Sequence, residues 1–210
     1  MRAARWASVV TVVLVLVGGA CSSSSSSGGA KTSQKIVWPA PADPMARARA
    51  AGLVPDTHET LVHHVHAHLD VFMNGEAVTV PAGIGINIHD PAVHSSNIAG
   101  AKAYGGIDPA CKTACISPLH THSVTGVLHT ESPTVVDNTL GEFFTEWGVK
   151  LDAKCVRNYC KPATKIAIYV NGKPFTGDPR TIDLSDHKEI AIVIGTPPAK
   201  IPSTGDFSQP

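Results

Sequence analysis

Strict alternation of polarity, two Asn-Gly turn pairs and one stretch of helical periodicity predict a β-rich α+β domain. The expected architecture is a layered antiparallel sheet, or a sandwich-like domain, with one docked amphipathic helix. From Thr60 the period is two: Leu61, Val65, Ala67, Leu69, Val71 and Met73 share one parity, interrupted only by His63. Val62, His64, His66, His68, Asp70 and Phe72 share the other. Successive strand side chains point to opposite faces, so this is a long strand with an apolar face and a histidine-bearing face.

Asn74-Gly75 predicts a two-residue hairpin of the primed type, where both residues tolerate positive φ. That turn sets Val78 and Val80 opposite Val71 and Leu69. Residues 119–131 read as a second hairpin. Residues 166–175, turning at Asn171-Gly172, read as a third, and 190–194 as a buried strand. The segments 71–78 and 168–175 look alike, although Asn-Gly hairpins between apolar strands recur widely. Residues 83–110, rich in Gly, Ala and Asn, read as a long irregular loop, the kind usually retained for function or mobility.

Two helices are expected. Asp43 can cap a short one, with Pro44 at its first position and Gly52 at its end. Thr139-Leu140-Gly141-Glu142 matches a capping box. Leu140, Phe143, Phe144 and Trp147 then fall at i, i+3, i+4 and i+7 before Gly148. Such an aromatic stripe is a core face rather than a cofactor site.

Residues 1–20 have the layout of a secretory signal: Arg2 and Arg5, an uncharged, mostly apolar run over residues 6–17, and the small residues Gly18, Gly19 and Ala20. Twelve helical residues rise about 18 Å, short of the roughly 30 Å hydrocarbon core, so the run is not a membrane span. Ala20-Cys21 before a serine run resembles a lipoprotein signal, which implies lipidation of Cys21 and membrane association through that lipid only. The alternative is ordinary cleavage nearby, with Cys21 left as a thiol. Residues 21–34 read as the lipidated cysteine and a Ser/Gly tether, and 35–210 as a single domain. The expected location is outside the cytoplasm, on the outer face of the cytoplasmic membrane or in the cell envelope. Without Arg2 and Arg5, 15 basic residues face 17 acidic ones with no basic stripe, which argues against nucleic acid as a partner.

Cys111, Cys115, Cys155 and Cys160 form an even set, which in an exported chain favours disulfides over a four-thiolate zinc site. Three connectivities are open. Neighbours would make two small staples, whereas crossed pairing would tie the long loop to the segment after the helix.

Eleven histidines are present, and most of them cluster. His64, His66 and His68 share one strand face. If residues 123–126 form a four-residue hairpin loop, His122 pairs with Val127 and His120 with His129. His120, His122 and His129 then converge from two strands, as in three-nitrogen metal sites, with Glu131 on the same face as outer-sphere support or base. The expected ligands are therefore His120, His122 and His129, followed by His64, His66 and His68. The expected cofactor is a transition metal ion, zinc or copper(II). The competing readings are solvated or hydrogen-bonded histidines and a pH-responsive surface. His58, His63, His89, His94 and His187 stand alone and are taken as structural.

The segments HVHAHLDVFMNG, PLHTHSVTGVLHTES and TLGEFFTEWG, spread over residues 60–150, resemble an uncharacterised family of exported, histidine-rich bacterial and archaeal proteins. The resemblance implies no activity and no ligand list. The HTH…H pattern also resembles cupins and carbonic anhydrases, but Glu131 lies nine residues after His122, off the cupin spacing. The function expected is a lipid-anchored, extracytoplasmic metal-binding protein. The alternatives are a metal-dependent enzyme with a three-histidine site and a metal-free envelope interaction module.

Overall fold

The computed structural model describes residues 36–98 and 100–207. The expected signal, Cys21 and the expected tether lie outside them. The chain runs β1 (Ile36–Val37), α1 (Pro44–Ala50), β2 (His63–Met73), β3 (Glu76–Thr79), β4 (His94–Ile98) and β5 (Ala101–Gly105). It continues through β6 (Leu119–His120), β7 (Val127–Ser132), α2 (Leu140–Trp147), β8 (Cys155–Val156) and β9 (Tyr159–Cys160). The last elements are β10 (Ile166–Val170), β11 (Lys173–Phe175) and β12 (Lys188–Ile194).

The main sheet is built on β2. One edge of β2 pairs with β12, and the other pairs first with β7 and then with β3. Both Asn-Gly turns form as expected, with Asn74, Gly75, Asn171 and Gly172 all at positive φ. Val71 faces Val78 as the first turn dictates. The strand departs from the expected one at its start. It begins at His63, leaving Leu61 60% and Val62 73% exposed, because β7 ends its pairing there.

The sheet is mixed rather than antiparallel. β12 runs parallel to β2, and β1 parallel to β3. Parallel neighbours need a crossover rather than a tight turn, so no local turn signal announces them.

The core lies on the apolar face of β2. Ala67, Leu69 and Val71 pack with Ile190, Ile192 and Ile194 of β12 and with the α2 stripe Leu140, Phe143, Phe144 and Trp147. The stripe is 0–1% exposed, as expected of a core face. Burying four such side chains contributes about 1.5–3 kcal/mol each. The α2 capping box is complete: Thr139 accepts from the Glu142 amide, and Glu142 accepts from the Thr139 amide at 2.6 Å. Gly148 closes the helix at φ 77°. The short helix α1 is capped by Asp43, which accepts from the Ala46 amide at 2.9 Å.

The long loop is not wholly irregular. β4 and β5 pair as an antiparallel hairpin within it. Its residues are mostly small and polar, so no alternation of hydrophobicity marked it. The disulfides join Cys111 to Cys115 and Cys155 to Cys160, four and five residues apart. Loops this short make local staples, worth about 2 kcal/mol each in the chain-entropy account. They point to an oxidising compartment. Among the described residues no helix is long and apolar enough to cross a membrane.

Candidate metal centre

The two histidine clusters meet because β7 lies between β2 and β6. His66 pairs with His129 and His129 with His120, giving one row of three imidazoles across three strands. His64 pairs with Glu131 in the next row.

The hairpin register holds, but its loop does not. β6 ends at His120, so the turn spans 121–126 rather than 123–126. Instead of pairing with Val127, the His122 backbone carbonyl accepts from the Tyr104 amide at 2.9 Å. The even loop length preserves parity, so His129 still faces His120.

The loop segment carrying β5 fixes the rings. The backbone of 83–85 bonds along the outer edge of 117–121: Ser117 N donates to Gly85 O, and Thr121 N to Ile84 O. Tyr104 O then lies 2.6 Å from His122 Nδ1, and Ser117 O lies 2.9 Å from His120 Nδ1. A carbonyl only accepts, so each Nδ1 carries the proton and each neutral ring presents its lone pair at Nε2. These two Nε2 atoms are 3.2 Å apart. Gly105 is required at this contact, since a Cβ there would lie 2.6 Å from His122 Nδ1.

Glu131 stands within the cluster, its carboxylate beside the imidazoles it was expected to support. Its Oε1 lies 3.3 Å from His64 Nε2, 3.7 Å from His129 Nδ1, 3.8 Å from His120 Nε2 and 3.9 Å from His122 Nε2. Tetrahedral ligands at about 2.1 Å from an ion are separated by about 3.4 Å, close to these spacings. One donor atom from each of His120, His122, His129 and Glu131 lies within 4.8 Å of the others. A second group, His64, His66 and His129, meets the same limit. These groups could hold a metal ion.

The electrostatics fit a nest of mostly neutral imidazoles around one carboxylate. Burial opposes the Glu131 charge, yet the imidazoles of His122 and His129, within 4 Å of its Oε1, hold its carboxyl well below the usual range. Burial pushes His120 well below the ordinary histidine value, aided by His122. It likewise pushes His129 down to about 4, with Glu131 opposing and His122 and His66 assisting. His66 is lowered by burial and by His64. Although burial opposes it too, His122 is raised by Glu131 and the Tyr104 carbonyl.

His68 shares the strand face of His64 and His66 but not their group, because Glu189 of β12 stands directly beside it in register. His68 Nε2 donates to Thr125 O at 2.9 Å, and Nδ1 lies 2.9 Å from Glu189 Oε2 and 3.8 Å from Asp70 Oδ2. Only Nε2 is spent on a hydrogen bond, and His68, Asp70 and Glu189 form a third, separate group whose donor atoms lie within 4.8 Å of one another. Burial opposes the charge, but Glu189, Asp70 and the Thr125 carbonyl together raise His68 above its ordinary value. Of the six histidines expected as ligands, five converge and His68 stands apart.

The carbonyls of Ser117 and Tyr104 had no sequence signal, since every residue carries a carbonyl. The centre borders a cleft of about 390 Å³ lined by Glu131, Ser117, Pro118, Glu59, Val54 and Val136, among others. Comparison with protein-family models, curated proteins and solved structures found no match to this chain.

Proposed function

We propose that this protein is an exported, lipid-anchored metal-binding protein whose ligands are His120, His122, His129 and Glu131. The observation that carries the reading is the pair of Nε2 atoms at 3.2 Å whose Nδ1 protons are both committed to carbonyls. Two lone pairs facing each other in a buried site repel unless a proton or a cation lies between them. The carbonyl contacts are also the outer-sphere bonds that metal-ligating histidines commonly make. Three imidazoles and one carboxylate suit zinc or copper(II). The family resemblance of the histidine segments and the lipoprotein-like signal are part of the same proposal.

Titration of the full-length protein with zinc(II) by calorimetry tests it. Binding should be lost in the His120→Ala/His122→Ala variant. Equal affinity in that variant would place the ligands elsewhere, and heatless titration of the wild type would end the metal reading. For the anchor, Cys21→Ser should release the protein from membranes, and an intact mass showing an unmodified N-terminus at another residue would refute lipidation.

The cleft favours a second reading, a metal-dependent enzyme in which Glu131 acts as base toward a metal-bound water. In a cobalt(II)-substituted protein, azide would then alter the visible spectrum. An unchanged spectrum favours storage or transport.

A further inference from the structure

The four ligands of the proposed centre leave two close imidazoles unused. His64 Nε2 and His66 Nε2 are 2.8 Å apart, and neither belongs to the donor set around His120. His129 belongs to both sets. Its ring lies between them, with centroids 4.3 Å from His66 on β2 and 4.4 Å from His122 beyond β6.

Among the described residues, His129 is the one histidine whose two ring nitrogens are both buried and both without a hydrogen-bond partner. A neutral imidazole has one N–H and one lone pair, and burying either unpaired is unfavourable. A metal at one nitrogen answers only half of that deficit. Glu131 carries the same signature: Oε1 is 3.3 Å from His64 Nε2, while Oε2 is buried without a partner.

We propose that the cluster holds two ions, one at His120, His122 and Glu131 and one at His64 and His66, with His129 ligating both. This rests on the metal-binding reading above and deepens it. Occupation of both ring nitrogens releases the remaining N–H proton of His129 to solvent, leaving an imidazolate shared between the ions. Two metal–nitrogen bonds of about 2 Å on either side of the ring set the ions roughly 6 Å apart. The His64 side chain is 36% exposed, so the second position faces solvent while the first is enclosed.

Native mass spectrometry of the full-length protein loaded with zinc(II) should show two ions per chain, and one in His64→Gln/His66→Gln. One ion in the wild type, or two in the variant, overturns the proposal. None in the wild type overturns the underlying metal reading as well. Should the double variant fail to fold, the wild type loaded with two equivalents of copper(II) decides. A shared imidazolate couples the ions, so the electron paramagnetic resonance intensity should fall below that of two isolated coppers. Full uncoupled intensity overturns the shared ligand.

Discussion

Glu131 and His64 face each other across β7 and β2, with Oε1 3.3 Å from Nε2. This contact unites two histidine clusters lying more than fifty residues apart in sequence. It also puts the only carboxylate of the group at its centre, where one negative charge supports several imidazoles. Two measurable consequences follow from the charges around it.

Glu131→Gln keeps the shape and removes the charge. Loss of outer-sphere support alone typically costs 10–100-fold in metal affinity, so loss of a ligand should cost at least about a hundredfold. In the metal-free protein, the His122 ring should titrate lower than in the wild type, because Glu131 is what holds it up. Calorimetry and imidazole NMR measure the two effects. Unchanged affinity would remove Glu131 from the ligand set.

Acidification should weaken the first zinc ion through one proton. His129 is neutral above about pH 4, and His120 stays neutral well below its ordinary value. His122 is raised, with Glu131 and Glu59 as its charged neighbours, so it is the ligand that first takes up a proton as pH falls. At substoichiometric zinc, affinity should fall about tenfold per pH unit below the His122 pKa. A hundredfold fall per unit would show that two ligands titrate together.

Glu146 offers a test of stability away from the metal. It lies on the buried side of α2, and burial pushes its carboxyl from 4.5 up to about 8, with the Ser117 side chain offsetting this only in part. Its folded value is the higher one, so between these values the folded state binds more protons than the unfolded. Stability from the neutral acid is therefore full below pH 4.5 and lost as pH rises toward 8, a change on the order of 5 kcal/mol. Glu146→Gln should gain on the wild type between pH 5 and pH 8 in urea denaturation. An equal difference at both pH values would show that Glu146 titrates normally.

The sequence by itself determined every element whose cause is local. The turn at Asn74-Gly75, the capping box at Thr139 and Glu142, and the aromatic stripe of α2 each arise from residues a few positions apart. The register that sets His129 opposite His120 was legible for the same reason, since an even hairpin loop preserves parity whether it holds four residues or six. The polar β4–β5 hairpin lacked the alternation that makes a strand visible, and so it was missed.

Tertiary structure decided what depends on which strands become neighbours. Only the placement of β7 beside β2 brought His64 and His66 to His129, and only β12, running parallel to β2, set Glu189 beside His68 and withdrew that ring from the cluster. Backbone carbonyls of Ser117 and Tyr104 then fixed which nitrogen of each ring faces inward. Strand order is chosen by burial of the whole apolar face, an energy summed over many residues. No spacing within a histidine motif encodes that sum, so the motif named most of the donors and the fold assembled the site.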